Sequence, residues 1–189
     1  MHQTLDKKPV DILKILMGDN ILDSYESQDS VDVAVIDRRN LLYAVGLIRD
    51  NPALNLRYLS FITAIDYLET EKMFHVLYEF VNLDYDSRLR IRIQIPEKES
   101  WVPSITSFYP SANWHEREMM EMFGIEVREH PNPRKLLLPD WVSEHPLRKS
   151  FPHSGEELWK FHQRTIEMFN EKSDYQGRTD DPWLERFIE

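Results

Sequence analysis

The sequence predicts an α+β fold, a two-layer sandwich of helices on a mainly antiparallel sheet, with an extended C-terminal arm. A helix, a strand and a second helix come first, three strand-like segments follow with short links between them, and prolines recur after residue 130. Helices that cover one face of a sheet share one apolar core with it. Short links favour antiparallel neighbours, because parallel strands need long crossovers. We expect an α+β domain over residues 1–127, and a proline-rich arm with a C-terminal helix and tail over residues 128–189.

Two helices and one strand are predicted in the first fifty residues. Apolar residues recur at helical spacing over residues 10–17, and Gly18-Asp19-Asn20 supplies a stop. Residues 31–35 alternate as a half-buried strand should. A second helix is expected to open at residues 37–40 and to end near residues 50–52, where Pro52 cannot continue it.

Three further strands are predicted in close succession. Residues 58–65 and 74–81 are rich in aromatic and β-branched side chains, and the polar residues 69–72 indicate a hairpin connection between them. Residues 88–95 alternate strictly, so that one face is apolar while Arg88, Arg90 and Arg92 line the other. This arginine row could dock an acidic partner. A solvated face that discourages edge-to-edge aggregation is the favoured interpretation.

Composition excludes several classes of function. A formal net charge of -10 argues against sequence-independent binding of nucleic acid, which relies on Lys and Arg. The chain has no cysteine, so it offers no disulfide, no thiolate nucleophile and no cysteinyl ligand for an iron-sulfur cluster. It also lacks an apolar run of about 18 residues and the apolar core of a signal peptide. We expect a soluble cytoplasmic chain with no direct membrane span.

The most unusual stretch is the charge-dense segment of residues 111–125. Asn113 and Glu116 have capping-box spacing and predict a helix that runs to about Phe123. Gly124 then stands where a left-handed residue ends a helix. Within this helix, Arg117 is expected to pair with Glu121 one turn later.

Enzymatic alternatives find little support in the motifs. His115-Glu116 begins like a zincin helix, but Met119 occupies the position of the second histidine ligand. No Gly-x-Ser-x-Gly elbow, glycine-rich phosphate loop or dinucleotide fingerprint occurs. A metal-dependent hydrolase and a free-standing soluble adaptor remain as alternatives to a structural role.

Residues 130–152 are interrupted by five prolines, which deny the segment long regular structure. We favour an arm that lies along another protein, which would satisfy its backbone and receive apolar residues such as Leu137 and Leu147. The alternative is a coat over the chain's own sheet. Beyond it, a capping box at residues 154–157 predicts a helix to residue 169, and the tail ends in the possible anchors Trp183 and Phe187.

The central segment resembles a known signature. Glu116-Arg117-Glu118, Glu121, Phe123, His130 and Arg134 follow the spacing of the 30 kDa subunit family of respiratory complex I, and Pro146-Leu147-Arg148-Lys149 is similar to that family's second mark. The resemblance covers roughly residues 10 to 152. The sequence departs from the family pattern at Glu129, where a glycine usually precedes the His-Pro pair.

The resemblance implies a non-catalytic scaffold on the inner face of the cell membrane. It would dock a large catalytic subunit (49 kDa-like or hydrogenase-type) and iron-sulfur subunits, and would contact the membrane arm only indirectly. The parent complex could be a NADH:quinone oxidoreductase, a membrane-bound hydrogenase or a sulfur-reducing complex. No cofactor is expected in this chain; iron-sulfur clusters, with a nickel-iron site or flavin, are expected in the partners. The implied docking residues are Trp114, Glu116, Arg117, Glu118, Glu121, Phe123, His130, Arg134, Pro146, Leu147, Arg148 and Lys149.

Overall fold

A computed structural model describes residues 7–138, 142–152, 160 and 163–167. The chain forms two compact units. The described part of the first comprises residues 7–138 and 145–148, and that of the second comprises residues 142–144, 149–152, 160 and 163–167. Parts of the segment expected to form a C-terminal arm, residues 128–138 and 145–148, therefore lie within the first unit.

The first unit alternates helices and strands before a meander and a final helix. Its elements are α1 (Pro9–Met17), β1 (Ile21–Glu26), β2 (Asp32–Ile36), α2 (Leu41–Asp50), β3 (Tyr58–Tyr67), β4 (Met73–Asn82), β5 (Ser87–Pro96), β6 (Trp101–Pro103), α3 (Ala112–Phe123) and β7 (Glu126–Arg128). Short 3-10 turns precede α2 and β6 and follow α1. The two predicted N-terminal helices and the three predicted meander strands are all confirmed.

Five strands form the main sheet, in the order β1-β2-β5-β4-β3. Neighbouring strands are antiparallel except for β2 and β5, whose parallel register pairs Asp32 with Leu89 and Ile36 with Ile93. A connection through α2, β3 and β4 is long enough to permit this parallel pair. The α+β architecture with a mainly antiparallel sheet is thus confirmed, and β6 and β7 add a small separate parallel pair.

The position of β2 corrects one prediction and reveals one omission. All five residues of β2 are buried, whereas the sequence indicated a half-buried strand. The reason is that β1, which the sequence analysis did not predict, pairs with one edge of β2 while β5 pairs with the other. Asp32 remains satisfied there, because its carboxylate lies 3.6 Å from Lys8 Nζ.

The helices join the apolar face of the sheet in one core. α1 contributes Leu13, α2 contributes Leu41, and β5 contributes Ile91 and Ile93, all with no exposed surface. The start of α2 is set by Asp37, whose carboxylate accepts the backbone N–H of Arg39 at 2.8 Å in the preceding turn.

The opposite face of the sheet carries the arginine row. Arg90 bonds to Glu79 at 2.5 Å and to Asp29 at 2.8 Å, and Arg92 donates to the Tyr25 hydroxyl at 2.7 Å. The solvated-face interpretation is therefore wrong for Arg90 and Arg92, whose guanidinium groups are held by partners on neighbouring strands and turns. Arg88 is exposed, as predicted.

In the second unit, Glu144 accepts hydrogen bonds from the backbone and hydroxyl of Ser143 and lies 3.9 Å from Arg164. Residues 163–167 are helical and fall inside the predicted C-terminal helix. The capping box at residues 154–157 and the tail residues Trp183 and Phe187 lie outside the described residues.

Candidate functional site

The candidate docking signature lies on α3, which packs against β3. Ala112, Glu116, Met119 and Phe123 follow one another at alternating four- and three-residue intervals, and each is at most 6% exposed. Such spacing places all four on one side of a helix. That side faces the core, so Glu116 is an interior residue rather than part of a charged outer face.

Glu116 does not form the predicted capping box. Its Oε1 accepts the backbone N–H of Ile105 at 2.7 Å, and its Oε2 accepts the hydroxyl of Ser104 at 2.7 Å. Ser111 occupies the cap position without a side-chain bond, and Asn113 lies inside the helix. The carboxylate therefore satisfies the loop that follows β6 instead of the start of its own helix.

Two further polar groups surround Glu116. Nε2 of His130 lies 3.7 Å from Glu116 Oε2, and both side chains have no exposed surface. The phenol of Tyr78 is also buried, and burial followed by the nearby Glu116 raises its pKa. Burial raises the pKa of Glu116 to about 7, against the lowering effect of its bonds to Ile105 and Ser104.

The outer side of α3 holds residues 134–138, which we call the clasped segment. Arg117 donates to the carbonyls of Arg134 at 2.7 Å and Lys135 at 2.8 Å. Glu121 accepts three successive amides, from Leu136 at 3.2 Å, Leu137 at 2.8 Å and Leu138. The predicted Arg117–Glu121 pair is therefore wrong, because each side chain binds backbone groups of opposite polarity in the clasped segment.

Residues 145–148, which we call the end strap, close the C-terminus of α3. Gly124 has a φ of 69° and ends the helix in the left-handed conformation, as predicted. The strap bonds run from His145 Nδ1 to the Glu121 carbonyl (2.8 Å), from Leu147 N to the Met122 carbonyl (3.1 Å) and from Arg148 Nε to the Phe123 carbonyl (2.6 Å). The last carbonyls of a helix have no partners within it, and here the second part of the signature supplies them.

These bonds correct the expectation that a partner protein would satisfy the backbone of this region. For residues 136–138 and Leu147, α3 of the same chain does so. The apolar side chains of Leu137 and Leu147 nevertheless remain 62% and 52% exposed.

The twelve predicted docking residues divide by exposure. Those that are buried are Glu116, Glu121, Phe123 and His130. Those that are partly exposed are Arg117, Pro146 and Arg148. Those that are exposed are Trp114, Glu118, Arg134, Leu147 and Lys149. Buried members can influence a partner only through the clasped segment and end strap that they position, and docking by any member stays a prediction.

Sequence reasoning missed Ser104 and Tyr78 as neighbours of Glu116. The repeat of Ala112, Glu116, Met119 and Phe123 was a usable signal, since a carboxylate within an apolar stripe needs buried donors. The donors themselves come from a loop and from β4, and nothing in the local pattern points to them.

Within the described residues, no group of three or more acidic or histidine side chains is arranged to hold a metal ion. No helix in that same part of the chain combines the length and the apolar character needed to cross a membrane.

Comparison with known proteins places these observations in a family. Residues 34–157 match the family model described as respiratory-chain NADH dehydrogenase, 30 Kd subunit. One NADH-quinone oxidoreductase subunit of this type, from Roseiflexus sp., is 35% identical over 146 residues, covering 77% of this chain and 83% of that protein. The subunit of the same name from Ruegeria pomeroyi is 42% identical over 126 residues, covering 67% of this chain and 61% of that protein.

Two solved structures share the fold. A trypsin-resistant fragment of Nqo5 aligns with a TM-score of 0.57 at 25% identity, covering 65% of this chain and 97% of the fragment. A chain of a membrane-bound sulfane sulfur reductase, an archaeal respiratory membrane complex, aligns with a TM-score of 0.63, covering 93% of this chain and 99% of that chain. At 16% identity, the second likeness concerns the fold alone.

Proposed function

The chain belongs to the respiratory-chain NADH dehydrogenase 30 kDa subunit family, and on that premise we propose that it is a non-catalytic structural subunit of a NADH:quinone oxidoreductase. It would sit in the peripheral arm of this complex I-like, membrane-associated assembly, on the inner face of the membrane. The choice of a NADH:quinone enzyme over a hydrogenase or a sulfur reductase follows the names of relatives that are 35% to 42% identical.

The observation that carries the proposal is the division of labour on α3. Arg117 and Glu121 spend their polar groups on the clasped segment, so this irregular stretch is held in one conformation. Trp114, Leu137 and Leu147 are left 60%, 62% and 52% exposed on α3 and on the two segments that it holds. Large apolar side chains on a rigid support are typical anchors of a protein interface.

The partners in this proposal are the large catalytic subunit and the iron-sulfur subunits. Because the chain has no cysteine, thiolate ligands for the clusters must come from those partners. The exposed Arg134 beside the anchors suits an acidic patch on the catalytic subunit. Electron transfer between centres depends on their separation, so a rigid scaffold would contribute by keeping those separations fixed.

Native purification tests the proposal. The full chain, tagged at its N-terminus and expressed in its own host, should co-purify from detergent-solubilised membranes with iron-sulfur proteins, flavin and NADH-oxidising activity. Migration of the tagged chain alone would overturn the docking role. Nickel in place of flavin would retain the docking role but reassign the parent complex to a hydrogenase.

Matched variants test the docking face. The double variant Trp114→Ala/Leu137→Ala should reduce the yield of the co-purified large catalytic partner at least tenfold, because it removes two exposed anchors. The control Ile15→Ala/Tyr43→Ala truncates side chains that are 70% and 53% exposed on α1 and α2, and it should leave the yield unchanged. Equal losses from both pairs would show that the face around α3 has no special role. Circular dichroism should show that both variants are folded.

A further inference from the structure

An open groove of about 590 Å³ runs along the first unit between the turn before α2, the turn before β6, and β7. Its basic lining residues are Arg38, Arg39, Lys98 and Arg128, and its acidic ones are Glu99 and Glu126. This balance is the reverse of that of the whole chain, whose formal net charge is -10.

Two of the basic residues form the walls of the groove. Arg38 is 8% exposed, and its guanidinium binds both the carboxylate and the backbone carbonyl of Glu99. Arg128 lies with Nε 3.3 Å from Glu126. Both guanidinium groups also contact the ring of Trp101, with Cζ at 4.3 Å and 3.9 Å from its centroid. Ion pairing and cation–π contact hold these two side chains in place.

The other two basic residues are available to a ligand. Arg39 and Lys98 are exposed, and within the described part of the chain neither makes an ion pair. They come from the turns on either side of Arg38 and Glu99, so two uncompensated positive charges face one open groove. Carboxylates or phosphates would be attracted to such a surface.

The geometry points to an acidic segment of a partner protein as the occupant, and we propose that this basic groove is its docking site. Trp101 is already in contact with two guanidinium groups, which argues against stacking of a nucleotide base. An acidic chain is repelled by an anionic lipid surface, which argues against a membrane. A groove of this length with separated charges suits several carboxylates in series better than one phosphate.

The groove adjoins the docking face described above. Gly124 lines it, and Arg148 Nη2 and His145 Nε2 occupy the space where a side chain on Gly124 would begin. The partner would therefore reach the groove beside the end strap. The inference rests on the proposed function only in taking that partner to be a neighbouring subunit.

Binding of a defined probe by the isolated full chain tests the groove. A fluorescein-labelled hexaglutamate peptide should bind in low salt by fluorescence anisotropy, whereas a hexaglutamine peptide should not. The double variant Arg39→Glu/Lys98→Glu should weaken binding at least tenfold. Lys14→Glu/Arg57→Glu changes the net charge equally at exposed residues that do not line the groove, and it should change affinity less than twofold.

Three outcomes would overturn the groove proposal. They are equal losses in the two double variants, displacement of the peptide by inorganic phosphate at equal charge concentration, and binding to vesicles containing phosphatidylglycerol in preference to the peptide. The co-purification experiment remains separate. A chain that binds the peptide through Arg39 and Lys98 but migrates alone from membranes would sustain the groove and overturn the proposed function.

Discussion

Glu116 and His130 lie side by side in the interior, with Oε2 and Nε2 3.7 Å apart, but they do not form a hydrogen-bonded ion pair. Nδ1 of His130 accepts the amide of Asn132 at 3.0 Å, and its Nε2–H donates to the carbonyl of Asn113 at 3.3 Å. Both ring nitrogens are thus satisfied in the neutral form, and burial lowers the pKa of His130. The neighbouring carboxyl has no cationic partner that would offset its own burial.

The pH dependence of stability should report on Glu116. Its folded-state pKa of about 7 lies above the ordinary value of 4.5, so the folded protein binds an extra proton between those limits. Stability should therefore fall as pH rises from 4.5 to 7, by at most about 3 kcal/mol. Glu116→Gln retains an acceptor for Ile105 and a donor for Ser104 but cannot ionise. Urea unfolding should show that the variant gains stability relative to the wild type between pH 5 and pH 8.

Glu118→Gln, at an exposed site on the same helix, is the control and should show no such gain. A wild-type-minus-variant difference that stays constant from pH 5 to pH 8 would show that Glu116 does not titrate in this range.

The two buried tyrosines provide a matched test of hydrogen bonding. The hydroxyl of Tyr78 has no hydrogen-bond partner among the described residues, whereas that of Tyr109 donates to the carbonyl of Leu56. Tyr78→Phe should raise the free energy of unfolding by about 1 kcal/mol, and Tyr109→Phe should lower it by about 1 to 2 kcal/mol. Thermal and urea unfolding measure both changes. Similar losses in the two variants would indicate that Tyr78 also has a partner.

Glu121→Gln should loosen the clasped segment. The carboxylate accepts three amides, and a glutamine would direct its own N–H groups at some of these donors. Hydrogen exchange at Leu136, Leu137 and Leu138 should accelerate about tenfold, with little change in β4 and β5. Uniform acceleration across the sheet would instead mean that Glu121 supports global stability.

Two glycines separate backbone strain from steric conflict. Gly18 and Gly124 have φ values of 56° and 69°, but a Cβ on Gly18 would meet nothing within 4 Å, whereas one on Gly124 would overlap His145 Nε2. Gly18→Ala should cost about 1 kcal/mol for the left-handed conformation. Gly124→Ala should cost more, because it also displaces the end strap. Equal costs in urea unfolding would show that the strap is not needed for stability.

A substitution at residue 129 should stabilise the protein. Glu129 has a φ of 63°, at the position where the family pattern usually has glycine. Glu129→Gly relieves left-handed strain worth about 1 kcal/mol, and the gain will be partly offset by the greater freedom of glycine in the unfolded chain. Glu118→Gly within α3 should instead lose about 1 kcal/mol. A loss at residue 129 as well would show that the Glu129 side chain is held by favourable contacts.

The sequence was sufficient for elements with a strong period, such as α1, α2 and the β3–β5 meander. It was insufficient for β1, an edge strand whose residues are only partly buried or exposed, so no apolar alternation marks it. It also could not indicate that β2 pairs with β5, because that partner is chosen by the fold of the intervening chain.

The candidate site illustrates a different limit. The ends of α3 were predicted from Gly124 and the apolar spacing, but Glu116 and Glu121 were placed on an outer charged face. Charged side chains usually face water, and that rule fails when irregular loops leave amides that need acceptors. Both carboxylates bind such amides, in the loop after β6 and in the clasped segment.

The parallel pairing of β2 with β5 also sets the order in which the sheet can assemble. The hairpin of β1 and β2 and the meander of β3, β4 and β5 each join neighbours along the chain, so each closes only short loops. Asp32 and Leu89 must then find each other across a much longer loop. On a ribosome, the hairpin would wait for β5, which ends at Pro96, to emerge before its second edge is covered. We expect this seam to form late in folding, leaving β2 exposed to chaperones until then.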